Sequence, residues 1–191
     1  MIRSLFLILA LAAGWSAQAQ TEKRIIPKSQ LQAAEQRKTD KRLEEIQDSI
    51  DYVNAVQALE NLEFVVEADQ LVFKRGQSAF VSSSTNFISM HDDKTVVQVA
   101  PFNGGGPNGV GGVTVEGRAS DIKLKTDKRG NTYFTMNVLG NGISAMVTIS
   151  MAKGSNRASV TVSPNFNSNR ITLNGILVPA EESRVFKGTS L

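Results

Sequence analysis

The sequence predicts an all-β fold, an antiparallel lipocalin-like β-barrel preceded by an N-terminal α-helix. Three observations predict it. From Glu63 onward apolar and polar residues alternate. Turn-forming residues interrupt that alternation about every ten positions. Just upstream, residues 29–62 instead repeat their apolar positions three and four apart. A chain of 191 residues, 41% hydrophobic and 20% charged, has room for one such domain with accessory segments.

At the start of the chain, Arg3 precedes an apolar run over 5–13 and then Ala17-Gln18-Ala19, the small-x-small pattern of a cleaved secretory signal peptide over residues 1–19. The run is shorter than the roughly 20 apolar residues of a membrane anchor. Gln20 rather than Cys follows the predicted cut, which excludes lipoprotein processing. The expected product is periplasmic or secreted, with no membrane span after cleavage.

Residues 20–62 read as a charged spacer and an amphipathic helix. Pro27 and then Ser29-Gln30-Leu31-Gln32 supply a helix start, with Ser29 placed to cap the backbone and Gln32 to bond back. Leu43, Ile46, Ile50 and Val53, continued by Val56 and Leu59, make an apolar stripe, while Lys41, Arg42, Glu44, Glu45, Gln47 and Asp48 occupy the other faces. The stripe is too short for a dimeric coiled coil. Its C-terminal half is therefore expected to pack on the domain that follows, with residues 20–40 as a mobile spacer.

Residues 63–180 hold the predicted strands: 64–68, 71–73, 79–83, 86–90 and 95–100, then, after a Gly-rich interruption, 112–118, 121–126, 132–139, 143–151, 158–163 and 170–178. One face is apolar, through Val113 and Val115, Ile122 and Leu124, Phe134, Met136 and Val138. The other, with Thr114, Glu116, Arg118, Lys123 and Thr135, is expected to meet water. Asp92-Asp93, Lys128-Arg129-Gly130-Asn131, Gly140-Asn141-Gly142, Gly154-Ser155-Asn156 and Asn167-Ser168-Asn169 are short enough to join antiparallel neighbours. Consecutive hairpins of this kind make an up-and-down meander, and closing it removes the exposed edges. Residues 181–191 read as a flexible tail.

Composition excludes several functions. Without Cys there is no disulfide framework, thiolate zinc site or cysteine nucleophile. Although the pI is near 9.3, no segment concentrates charge: residues 20–60 carry seven Lys/Arg against eight Asp/Glu, and residues 61–180 eleven against eight. Lys123, Lys125, Lys128 and Arg129 read as a solvated turn, so no nucleic-acid partner is expected.

The most distinctive local feature is the run from Pro101-Phe102-Asn103 through six glycines between Gly104 and Gly112. Bare amides can cradle an anion, but no Gly-Lys-Ser/Thr follows and the next residues are a strand, not a helix. A flexible connection over the barrel mouth is expected instead, with Phe102 and Asn103 lining the entrance for any ligand inside. Ser120-Asp121-Ile122-Lys123 and Ser150-Met151-Ala152-Lys153 match Ser-x-x-Lys, yet 18 Ser and 11 Lys give about one match by chance. In strands, moreover, positions three apart point to opposite faces. His91 is the only histidine, in Met90-His91-Asp92-Asp93-Lys94, where the two Asp read as turn formers and no second His completes a metal site. Glu67, Glu116 and Asp121, the carboxylates available for paired acid/base work, sit at alternating solvated positions. No catalytic residue, metal ligand or cofactor is predicted.

In Phe64-Val65-Val66-Glu67-Ala68 after a charged helical arm, Asn86-Phe87-Ile88, Pro101-Phe102 leading into glycines, Gly112 through Glu116-Gly117, and Gly175-Ile176-Leu177, the chain resembles the secreted bacterial family of domain of unknown function 4251 over roughly residues 60–178. That resemblance implies a lipocalin-like barrel exported to the periplasm or beyond, and no known reaction. The expected function is non-enzymatic binding of a small apolar ligand. The competing expectation is a structural or interaction module with a filled core, whose helix meets an envelope protein. A ligand binder would keep a cavity, whereas an interaction module would combine a filled core with an exposed apolar patch.

Overall fold

The structure, a computed structural model, describes residues 28–101, 105–166 and 169–190. The chain divides into two compact units, 1–39 and 40–191. The described part of the first, residues 28–39, is helical and exposed throughout, and opens helix α1 (Lys28–Asn61). A mobile spacer was the expectation over residues 20–40, of which 20–27 lie outside the described residues. The run Gln30–Lys41 is instead built almost wholly of Gln, Ala, Glu, Arg, Lys and Leu, which lose little side-chain freedom in a helix.

The described residues of the second unit form nine antiparallel strands: β1 (Glu63–Phe73), β2 (Ser78–Phe80), β3 (Phe87–His91), β4 (Lys94–Val99), β5 (Val113–Thr126), β6 (Thr132–Gly140), β7 (Ile143–Met151), β8 (Arg157–Pro164) and β9 (Ile171–Pro179). Strands β3 to β9 follow one another around the sheet, and β1 pairs with both β3 and β9, so eight strands form a closed ring. The ninth, β2, pairs with β1 from Gln70 to Val72, above the stretch that β3 occupies. Closure leaves no strand of the ring with an unpaired edge along its whole length.

Two pairs of predicted strands are single bulged strands. In β1, Ala68 opposes Gly175 and Gln70 opposes Asn174, which leaves Asp69 extra. In β5, Ser120 opposes Asn137 and Lys123 opposes Thr135, and Asp121 takes a positive φ of 53°. One added residue reverses which side chains face inward. That is why the apolar face of β1 shifts from Phe64, Val66 and Ala68 to Leu71 and Phe73, and that of β5 from Val115 and Ala119 to Ile122 and Leu124.

The interior is filled by the chain's own side chains. Phe64, Phe134, Leu71, Ile88, Met90, Met136, Ile149, Leu173 and Leu177 are each less than 2% exposed. Phe64 and Phe134 meet edge to face, with ring centres 5.4 Å apart. Helix α1 closes the end of the barrel at which β1 begins. Tyr52, Ala55, Val56, Ala58 and Leu59 join the core, and the Tyr52 hydroxyl donates to the Gly130 carbonyl (2.9 Å) while accepting from Thr132 Oγ1 (3.0 Å). Tyr52→Phe leaves the buried Thr132 hydroxyl and the half-buried Gly130 carbonyl without this partner and is expected to cost about 1–2 kcal/mol in urea unfolding. Unchanged stability would show that apolar contact alone seats the helix.

The turn from Asp127 to Asn131 shows how a polar residue shapes a hairpin. Asp127 accepts from the backbone amides of Arg129 (2.8 Å) and Asn131 (2.9 Å) and from the Asn131 side chain (2.9 Å). These bonds, that from the Asn131 side chain foremost, hold its carboxyl below the ordinary aspartate range.

Two expectations are corrected. Thr114, expected to meet water, is fully buried, whereas Val113, assigned to the apolar face, is 40% exposed. The cause is the Gly-rich connection, which in its described part folds back on the outside of β5. Asn108 is buried there, donating to Thr114 Oγ1 (3.1 Å) and accepting from the Gly112 amide (2.9 Å). Residues 105–112 are thus a side-chain-anchored turn and not a loose cover over the mouth. The described part of the segment read as a tail over 181–191 begins within a 3-10 turn, Ala180–Glu182, and is hydrogen-bonded to the barrel from Ser183 to Ser190.

Candidate functional site

Two features within the second unit could carry function. The first is a cleft of about 450 Å³ at the helix-covered end, lined among others by Asn54, Gln57, Asn61, Glu63, His91 and Glu181. The β3–β4 hairpin and the start of β1 bring its charged groups together, because Glu63 is paired in register with His91. His91 Nδ1 is in direct hydrogen-bond contact with Glu63 Oε2. The Asp92 carboxylate joins them, so that the ligand atoms of Glu63, His91 and Asp92 all lie within 4.8 Å of one another.

Among the described residues this is the one group of three side chains that could hold a metal ion. From the sequence no donor set was expected around His91, whose neighbours Asp92 and Asp93 read as turn formers. One of these, Asp93, turns away to Arg118 and takes no part. The missing donor came from Glu63, 28 residues earlier, and only the β1–β3 register could have revealed it. His91 and Asp92 are exposed and Glu63 half-buried, so water competes strongly for every one of these donors.

The second feature is the outward face of α1. Leu43, Ile46, Ile50 and Val53 are 48–60% exposed. At 3.6 residues per turn they lie roughly opposite Tyr52, Ala55 and Leu59, which face the barrel. Val56 and Leu59 pack as expected, but the four aliphatic residues upstream of them do not.

The remaining predicted residues are dispersed. Phe102 and Asn103, the expected ligand entrance, lie outside the described residues, as does the signal-peptide pattern over 1–19. Glu67 accepts from Ser183, Glu116 pairs with Lys187, and Asp121 accepts from Asn137 (2.9 Å), so each of these carboxylates is engaged by a different partner. Inside the barrel, the Thr95 hydroxyl is buried with no hydrogen-bond partner. No described helix is long and apolar enough to cross a membrane.

The profile of the family described as domain of unknown function (DUF4251) matches residues 47–177. No curated protein matches the chain. Among solved structures, it is similar to the 1.95 Å crystal structure of a DUF4251 family protein from Bacteroides eggerthii, with 49% identity over 77% of this chain and 99% of that one, and a TM-score of 0.64. A profile match spanning more than half of the sequence, joined to close identity with a solved member, assigns the chain: it belongs to the DUF4251 family of domains of unknown function.

Proposed function

We propose that this is an exported, non-enzymatic interaction module, in which the barrel serves as a rigid base and helix α1 presents an apolar seam to an α-helix of an envelope protein. The observation that carries this reading is the contrast between a filled barrel and an unfilled helix face. An interior in which nine large side chains are less than 2% exposed supports the barrel as scaffold, while four aliphatic side chains stand about half exposed on α1. The lipocalin-like character then lies in the up-and-down strand order and not in a ligand cup. Export rests on Arg3, the apolar run over 5–13 and Ala17-Gln18-Ala19.

The chemistry of the partner follows from spacing. Leu43, Ile46, Ile50 and Val53 are three, four and three residues apart, the repeat at which the side chains of a second helix fit between them. The ten helical steps from Leu43 to Val53 give a seam of about 15 Å. Seams of that length are too short for a lasting coiled coil on their own, which favours a partner that adds contacts beyond them.

The test is a photo-crosslinking residue placed at Ile46 or, as a control, at Asp48 on another face, in the full chain within the producing cell. The expected result is an adduct with one envelope protein from position 46, absent from position 48 and abolished by Ile50→Asp. An adduct only with a second copy of the chain, or none at all, would overturn the reading. So would a small apolar molecule retained in native mass spectrometry and lost on denaturation.

A further inference from the structure

On the outward side of β4 lies a glutamine that has no reason to be buried there. Gln98 sits between Val97 and Val99, which turn inward, and yet it is fully buried. What covers it is the C-terminal tail. Gln98 Nε2 donates to the carbonyl of Phe186 (2.8 Å), and its Oε1 accepts from the amide of Gly188 (2.8 Å). One side-chain amide thus brackets the main chain two residues apart, as a neighbouring strand would. The amide's remaining capacity goes to the Thr85 carbonyl (2.9 Å) and the Thr114 hydroxyl (2.7 Å), which fix its orientation.

Both flanks extend this main-chain recognition. The Phe186 amide donates to the Ser84 carbonyl (2.7 Å) and the Thr189 amide to the Asn108 carbonyl (3.1 Å). Tail side chains are bound at three positions and excluded at a fourth, beginning with Ser183, which donates to Glu67 (2.7 Å). Lys187 and Ser190 both reach Glu116, and these contacts, that of Lys187 foremost, hold its carboxyl below the ordinary glutamate range. At Gly188 a Cβ would stand 2.4 Å from the Asn108 carbonyl oxygen, so no side chain fits. The Phe186 ring, 62% exposed, is not gripped.

None of residues 183–190 is buried, so the tail adds little to the apolar core. If it leaves, the Gln98 amide and the Asn108 carbonyl lose their bonds to the tail and are returned to water, not stranded in an apolar space, while Thr114 keeps its bonds to both side chains. Such a segment is a ligand in its chemistry although it is covalently attached.

We propose that the outer groove formed by Gln98, Asn108, Thr114 and Glu116 is a binding site for an extended peptide with a basic residue followed by glycine, and that the chain's own residues 183–190 occupy it in cis. A tethered tail has an effective concentration in the millimolar range and so masks the site from peptides in solution. Displacing the tail opens the groove to a segment of the same chemistry in trans. This site is separate from the apolar seam of α1, and its failure would leave the proposed partner helix unaffected.

The test uses the full chain carrying a protease site between Glu182 and Ser183, cut after folding and dialysed. A fluorescent peptide of the sequence of residues 183–191 is then titrated by anisotropy. The nicked chain is expected to bind it saturably, and the intact chain at least about 100-fold more weakly because its own tail competes. The Gly188→Val peptide is expected to lose binding, as is the original peptide with nicked chain carrying Gln98→Leu. Failure of the nicked chain to bind, equal binding by the intact chain, or undiminished binding of the Gly188→Val peptide would each overturn the proposal. The peptide variant keeps the test decisive even if Gln98→Leu disturbs folding.

Discussion

Phe134→Ala is expected to lower the free energy of unfolding by about 3–5 kcal/mol, the range for removing a fully packed aromatic side chain from a core. The ring is 1% exposed and meets Phe64 edge to face at an interplanar angle of 78°. Part of the loss is transfer of the ring's own surface, and part is the gap left behind. A closed barrel cannot shrink to fill that gap, because every strand of the ring is hydrogen-bonded to two neighbours. The void should stay apolar and dry, which brings a second expected result. The variant should bind benzene or xenon in its interior, while the unmodified chain should not. Urea unfolding measures the first effect and the chemical shifts of Met136 and Ile149 methyl groups report the second. A cost below about 1 kcal/mol, or benzene binding by the unmodified chain, would mean that the interior already holds usable space.

That expectation bears on what alternation in a sequence can tell. The strand pattern made the barrel legible because, after Thr132, the inward positions of β6, β7 and β8 carry apolar residues at period two: Phe134, Met136 and Val138, then Ile143 to Met151, then Ala158 to Val162. It did not make the occupancy of the barrel legible. Whether alternating residues fill a barrel or line it depends on which of them meet across the axis, and the Phe64–Phe134 contact joins residues 70 positions apart. The bulges left a trace, since the apolar positions of residues 113–126 change parity between Val115 and Ile122, but in one dimension that break looked like a chain reversal.

The helix shows the converse limit. Hydrophobicity marked Leu43, Ile46, Ile50 and Val53 as the face most in need of cover, and the barrel instead took the side bearing Tyr52, Ala55, Ala58 and Leu59. Two alanines allow the helix backbone to approach the barrel end closely, and one tyrosine supplies hydrogen bonds to the β5–β6 turn. Size and hydrogen-bonding reach decided the contact, and these are not what a periodic pattern measures. The groove under the tail was invisible for a related reason. Gln98 and Thr114 fall on a face that alternation assigns to water, but a segment some 90 residues away covers Gln98, and the turn bearing Asn108 covers Thr114. In each instance local pattern predicted the element, while the partner of the element lay beyond its range.

The closing seam of the barrel gives the second large expected effect. Gly175 on β9 faces β1 where that strand bulges at Asp69, and a Cβ at position 175 would stand 1.9 Å from the Glu67 carbonyl oxygen and 2.7 Å from the Ala68 Cα. Both are backbone atoms, so no side chain can swing aside. The φ of Gly175 is not positive, and the requirement for glycine there is close approach alone. Gly175→Ala must therefore push β9 off β1, where nine residue pairs from Phe64–Pro179 to Phe73–Ile171 hold the ring shut. Overpacking of this kind costs about 3 kcal/mol or more when backbone has to move, and at this chain length each kcal/mol lowers the melting temperature by about 2–4 °C. A drop of about 6 °C or more is expected. Hydrogen exchange should localise it, with the amides of β1 and β9 losing protection before those of β6 and β7. Opening the seam also turns two central strands into edges, so the variant is expected to aggregate at concentrations where the unmodified chain stays dispersed. A melting temperature within about 2 °C of the parent would instead mean that the bulge at Asp69 relaxes to admit the methyl group, and that the seam is held by the Phe64, Val66 and Leu177 side chains and not by tight backbone contact.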